Sequence, residues 1–97
     1  MKYIWHWEWK IEDREKESEI GARFSKALKE TPEKFPKMLT NTCFTSRCKG
    51  FRLIEADNEE QLKNLIAIWW PTENWKLEAY LDNDEKFQKA FQTYTQI

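Results

Sequence analysis

Residues 50–62 constrain this chain most, because they hold a strand and a helix with a single acidic turn between them. Phe51, Leu53 and Glu55 alternate with Arg52, Ile54 and Ala56, the period of two that belongs to a strand. Asn58 stands where a helix N-cap belongs, with Gln61 three residues on at the capping-box position. Leu62, Leu65, Ile66 and Trp69 follow at helical spacing until Pro71 stops the helix. One half of a two-layer α+β unit is therefore legible from residue 50 to the stop at Pro71.

The preceding residues supply a matching half. Tyr3, Trp5, Trp7 and Trp9 fall on one face of a first strand, with Ile4, His6 and Glu8 on the other. A helix opens at Ile11-Glu12-Asp13, its early turns rich in carboxylates that favour the positive helix end. Ile20, Phe24, Ala27 and Leu28 give it an apolar stripe, and Pro32 ends it by restricting the residue before it. Phe35 lies between two prolines as a plug for one end of the core. Residues 37–47 predict a second strand with an irregular middle. A hairpin turn follows over residues 46–50, with Gly50 free to take a positive φ. Beyond the second helix, Trp75, Leu77, Ala79 and Leu81 alternate with Lys76, Glu78, Tyr80 and Asp82 as a closing strand. A short last helix carries Phe87, Ala90, Phe91 and Tyr94 on one face.

The order β-α-β-β-α-β plus a terminal helix predicts one domain over residues 1–97. It is an α+β, ferredoxin-like sandwich: an antiparallel four-stranded sheet with two helices on one face and the first and third strands in its centre. The other sheet face lacks helical cover. With Trp, Tyr and Phe side chains available for it, a homodimer through that open face is expected, as in a dimeric α/β barrel.

Composition narrows the partners. Sixteen basic residues stand against 17 acidic ones, in no basic run longer than two, so nucleic acid is not an expected partner. The longest apolar run, residues 65–70, is too short to span a bilayer, and the N-terminus does not read as a signal peptide. No membrane partner and a cytoplasmic location are the resulting expectations. Two glycines are too few for a phosphate-cradling loop, and no cofactor is expected. In a reducing compartment Cys43 and Cys48 read as free thiols.

Few residues offer chemistry. His6, the single histidine, could serve as a general base, against the plainer reading of a hydrogen-bonded structural side chain. One histidine with scattered carboxylates has no metal-site spacing, so no metal is expected. Glu55 alternates with Phe51 and Leu53; desolvated there it would be a general acid, and the competing reading is an ion pair with Arg47 or Arg23. Cys48, between Arg47 and Lys49, is the candidate reactive thiol, whereas Cys43 reads as a small core residue. Trp5, Trp7 and Phe51 could line a pocket for a flat apolar ligand such as a quinone or porphyrin. The alternative places such residues in the core and the dimer interface.

The aromatic first strand, the Phe35-Pro36 connector and Lys49-Gly50-Phe51-Arg52-Leu53-Ile54-Glu55-Ala56-Asp57 running into Glu59-Glu60-Gln61-Leu62 resemble the domain of unknown function 3303 family. Trp69-Trp70-Pro71 and Lys76-Leu77-Glu78-Ala79-Tyr80, with Asp82 beyond, are similar as well. The resemblance implies membership of the dimeric α/β barrels, in which two ferredoxin-like sheets pack face to face. That superfamily holds heme-degrading and quinone-forming monooxygenases, lactone isomerases and dismutases beside members with no known activity. It carries over no activity and no catalytic residue. Three readings follow. The first is a homodimeric module binding a small apolar molecule between paired sheets. The second is a cofactor-free or heme-linked enzyme, monooxygenase- or isomerase-like, using His6 or Glu55 in a cavity lined by Trp5 or Trp7. The third is a subunit docking on a partner through residues 84–94 or its outer strand edge.

Overall fold

The computed structural model describes residues 1–96. β1 (Lys2–Trp9) leads through a 3-10 turn at Ile11–Asp13 into α1 (Arg14–Glu30). A second 3-10 turn at Pro32–Lys34 precedes two short strands, β2 (Lys37–Met38) and β3 (Cys43–Ser46). β4 (Lys49–Glu55), α2 (Glu59–Trp69), β5 (Glu73–Tyr80) and α3 (Glu85–Thr95) complete the chain. The five strands form one antiparallel sheet in the order β2-β4-β1-β5, with β3 on the same side of β4 as β2.

The second strand expected over residues 37–47 is thus two pieces. β2 pairs with the end of β4 (Lys37↔Glu55) and β3 with its start (Cys43↔Phe51). Thr40 bridges the gap between them: its Oγ1 accepts from Leu53 N at 3.1 Å and its carbonyl accepts from Arg52 Nε at 2.8 Å. β4 therefore keeps a partner where the ladder itself is broken.

One face of the sheet carries the core. Trp5 and Trp7 from β1, Ile54 from β4, Phe24 from α1, Leu65 from α2 and Phe35 from the connector form a buried cluster. Ile54 and Leu65 are fully buried. The tryptophans that the sequence offered to the open face are here instead, because β1 turns its odd-numbered side chains toward the helices. The open face carries Lys2, Ile4 and His6 of β1, Lys49, Phe51, Leu53 and Glu55 of β4, and Lys76, Glu78 and Tyr80 of β5. His6 pairs there with Glu78 at 3.0 Å, and Lys2 with Asp82.

Gly50 does not take a positive φ; no residue does among those described. Its role is close approach. A Cβ at this position would lie 2.2 Å from the Cys43 carbonyl oxygen and 2.5 Å from the Trp7 ring. The absence of a side chain is what lets Trp7 lie flat across β4.

The buried Gln61 fastens the helical layer. Its backbone N–H donates to Asn58 Oδ1 at 2.9 Å, its Oε1 accepts from Asp57 N at 2.8 Å, and its Nε2 donates to the Glu33 carbonyl at 3.0 Å. The Asn58 side chain thereby caps α2, while the Gln61 side chain holds the turn before it and ties it to the connector after α1.

α3 starts as expected, with Asp84 Oδ1 accepting from Phe87 N at 2.9 Å. None of its residues is buried. The radius of gyration is 16.2 Å, against ~12.5 Å for a compact chain of this length. The excess fits a helix held off the body. No helix among the described residues is long and apolar enough to cross a membrane.

Candidate functional site

Between α1 and the core face of the sheet lies a cleft of about 420 Å3. That volume falls in the range of small-molecule sites. Trp5, Trp7 and Trp9 of β1 form its floor, Gly21 and Phe24 of α1 one wall, and Trp69 at the end of α2 another. Phe44 and Thr42 close the β3 side. The rings interlock: Trp5 and Trp69 centroids are 6.1 Å apart, Phe24 and Trp69 5.5 Å, Trp7 and Phe44 5.3 Å. Edge-to-face contacts of this kind fix ring planes as well as burying area.

Sheet register places the polar groups of the cleft. Arg52 is the direct cross-strand neighbour of Trp5, and Glu73 that of Trp9. α1 brings Arg14, Glu17 and Ser18 over the same floor. Arg52 is half-buried; its Nε donates to Thr40, and it forms no salt bridge with a carboxylate among the described residues. Burial lowers its pKa below the usual guanidinium value. Glu73 is pushed up to about 9, first by burial and then by the nearby Glu17 carboxylate, so it holds its proton at neutral pH. Glu17 accepts a hydrogen bond from the Thr72 hydroxyl.

Three buried polar atoms in the cleft lining have no hydrogen-bond partner: Trp5 Nε1, Trp69 Nε1 and Glu73 Oε1. An unsatisfied buried group costs about 1–3 kcal/mol. All three belong to residues of the cleft lining, which sets the cleft apart from the rest of the core. Gly21 adds to this. Glycine inside a helix costs about 1 kcal/mol against alanine, and this one keeps the α1 wall open opposite Trp69.

The residues proposed from sequence are divided by the sheet. Trp5 and Trp7 line the cleft, while Phe51, His6 and Glu55 point to the open face. His6, Trp7 and Phe51 do meet, around an open depression of about 450 Å3 bordered by Glu8, Lys49 and Lys76. Glu55 is not part of it. It sits at the far end of β4, with Lys2 and Lys37 as direct cross-strand partners in place of Arg47 or Arg23. The pairing of His6 or Glu55 with Trp5 in one cavity is therefore not realised. Cys43 and Cys48 are free thiols and half-buried; Cys43 is on the sheet edge, with its Sγ donating to the Asn41 carbonyl at 3.5 Å, rather than in the core. Cys48 lies in the turn between β3 and β4, and its carbonyl accepts from Trp9 N at 3.0 Å. A porphyrin fits the cleft poorly, since its lining contains no His, Cys, Met or Tyr to hold the iron.

Glu73, Glu17 and Arg52 were missed from sequence, although their signals were present. Counting back by two from Leu77 and Trp75 puts Glu73 on the core face of β5. Glu17 stands three residues before Ile20 and seven before Phe24, on the buried stripe of α1.

A second concavity, about 650 Å3 and strongly apolar, runs between α2 and β5, with Leu62, Ile66, Trp70, Trp75 and Leu77 along it. It contains no buried unpartnered group among the described residues. No curated protein and no solved structure matches this chain. The family described as Domain of unknown function (DUF3303) matches residues 1–95, and the chain belongs to that family.

Proposed function

We propose that this chain is a small-molecule-binding domain of ferredoxin-like arrangement, and that its ligand, flat and mostly apolar, lies in the cleft between α1 and the sheet. The observation that carries this is that the three side chains with buried, unpartnered polar atoms, Trp5, Trp69 and Glu73, all belong to the cleft lining. A ligand with an apolar body would bury its rings on tryptophan, and with the indoles turned toward it, its acceptor atoms would recover the two indole hydrogen bonds. The central position of β1 and β4 supports the ferredoxin-like reading. The site is thereby moved from between two sheets, where sequence reasoning placed it, to within one protomer. Catalysis through His6 or Glu55 gains no support from their placement.

The test is Gly21→Leu, followed by intrinsic tryptophan fluorescence in a titration with 1-anilinonaphthalene-8-sulfonate. The leucine extends into the cleft, yet improves helix propensity, so the fold is expected to persist. Wild type binds the dye with a tryptophan signal and the variant loses it by at least 10-fold in affinity. Equal binding by both would remove the cleft from consideration.

A second reading concerns association and rests on a different observation. Phe87, Phe91 and Tyr94 of α3 are 41%, 55% and 85% exposed, and Phe87 stacks on Phe91 with centroids 6.4 Å apart. An amphipathic helix with such a face needs cover. We infer that it docks on another polypeptide, in keeping with a homodimer that also uses Ile4, Phe51 and Leu53 of the open sheet face. A monomer by light scattering at micromolar concentration would remove the homodimer.

A further inference from the structure

We propose that the ligand of this cleft is an aromatic carboxylate, its ring against the tryptophan floor and its carboxylate paired with Arg52. The inference rests on the cleft being a ligand site and goes on to name the ligand's charge and functional group. Arg52 is the first ground. A guanidinium taken halfway out of water is normally paired with an acid, because desolvating an unpaired charge is costly. Arg52 has only the Thr40 carbonyl on its Nε and no carboxylate partner among the described residues. Its planar fork remains suited to two-point binding of a carboxylate.

The donor character of the lining is the second ground. Trp5 is only 4% exposed, and its Nε1 can donate but not accept. Trp5 is also the cross-strand neighbour of Arg52, so the two side chains share one face of the sheet. Trp69 Nε1 adds a third donor. Groups that only donate select a ligand that accepts.

Charge is the third ground. The ionisable side chains lining the cleft are Arg14, Glu17, Arg52 and Glu73. With Glu73 protonated at neutral pH, the lining carries two guanidinium charges and one carboxylate, Glu17, which accepts from the Thr72 hydroxyl. The cleft is cationic on a chain whose net charge is −1. Arg52 on β4 and Glu17 with Glu73 on the β5 side are separated by the width of β1, so an anion at Arg52 is kept from the acid pair.

The experiment compares 2-naphthoate, an anion at pH 7, with the uncharged 2-naphthylmethanol of the same ring system, by calorimetry and tryptophan quenching. Wild type is expected to bind naphthoate about 10- to 100-fold more tightly, the range for a charge-assisted hydrogen-bonded pair. Arg52→Gln is expected to abolish that preference, read as the ratio of the two affinities in the same variant; a ratio kept at the wild-type value would overturn the role of Arg52. Equal wild-type affinities for the two probes would overturn the carboxylate assignment and leave the cleft reading standing. Binding of neither probe, or binding undiminished by Gly21→Leu, would overturn both. Because the probe comparison uses the wild-type chain, a misfolded Arg52 variant does not blunt it.

Discussion

Replacing Glu73 by glutamine should change how the stability of this protein depends on pH. The side chain keeps its length and shape but loses the ionisable proton. In the folded chain the Glu73 carboxyl is pushed from 4.5 up to about 9, chiefly by burial. A raised acid favours the fold only while protonated in both states. Its contribution is complete below about pH 4.5 and is lost as pH rises toward about 9, because the unfolded chain ionises first. Each pH unit inside that window removes at most about 1.36 kcal/mol, which sets a ceiling of about 3.4 kcal/mol between pH 4.5 and 7. Glu73 keeps some solvent contact, and proteins relax around buried charges, so about 1–2 kcal/mol is the working figure at pH 8. Urea unfolding followed by tryptophan fluorescence at pH 5, 7 and 8 measures it. Wild type should weaken with rising pH relative to Glu73→Gln, the two being nearly equal at pH 5. Differencing the variants cancels the titratable groups far from Glu73; Glu17, its neighbour, is the exception. Parallel stability curves across that range would refute the buried, neutral Glu73 and with it the charge count of the cleft.

Two further perturbations test the frame around the site. Gly50→Ala puts a Cβ 2.2 Å from a backbone oxygen and 2.5 Å from the Trp7 ring, which cannot both give way; the expected loss is about 3 kcal/mol or more in urea, with disturbed near-UV aromatic dichroism. A chain ending at Asn83 removes α3, none of whose residues is buried, and should unfold at the same urea concentration when monomeric. Light scattering of that shortened chain should show the loss of any dimer that α3 holds.

How far the sequence could be read depended on whether a local period settled the question. β1, α1, α2 and β5 each carry one, and all four were legible within a few residues. β2 and β3 were not separable, because the break between them is made by Thr40 bonding across to Leu53 and Arg52, a contact 12 or 13 residues away in the chain. The parity of β1 was legible, but not which side faced the helices. Both sides carry residues that can be buried, and only packing against Phe24 and Leu65 decides between them. That ambiguity displaced the site. Trp5 and Trp7 were named, then combined with His6, Phe51 and Glu55 across a sheet that separates Trp5 from all three. Glu17 and Glu73 meet through tertiary structure alone, 56 positions apart, and no spacing rule could join them.

The contrast between Gln61 and Glu73 bears on why the cleft should be functional. Gln61 is a buried polar residue whose backbone and side-chain groups are engaged at 2.8–3.0 Å, as a structural role requires. In the same small domain, Glu73 Oε1 and two indole N–H groups are buried without partners, Arg52 lacks a counter-charge, and Gly21 interrupts an otherwise sound helix. Each departure costs stability, and all of them line one cleft. Chance defects would be scattered over the core, whereas a site shaped for an external partner gathers them where that partner binds. A chain able to satisfy Gln61 so fully had the means to satisfy Glu73 Oε1 as well. Leaving that oxygen without a partner, while the carboxyl bonds Glu17, is what ligand recognition would require.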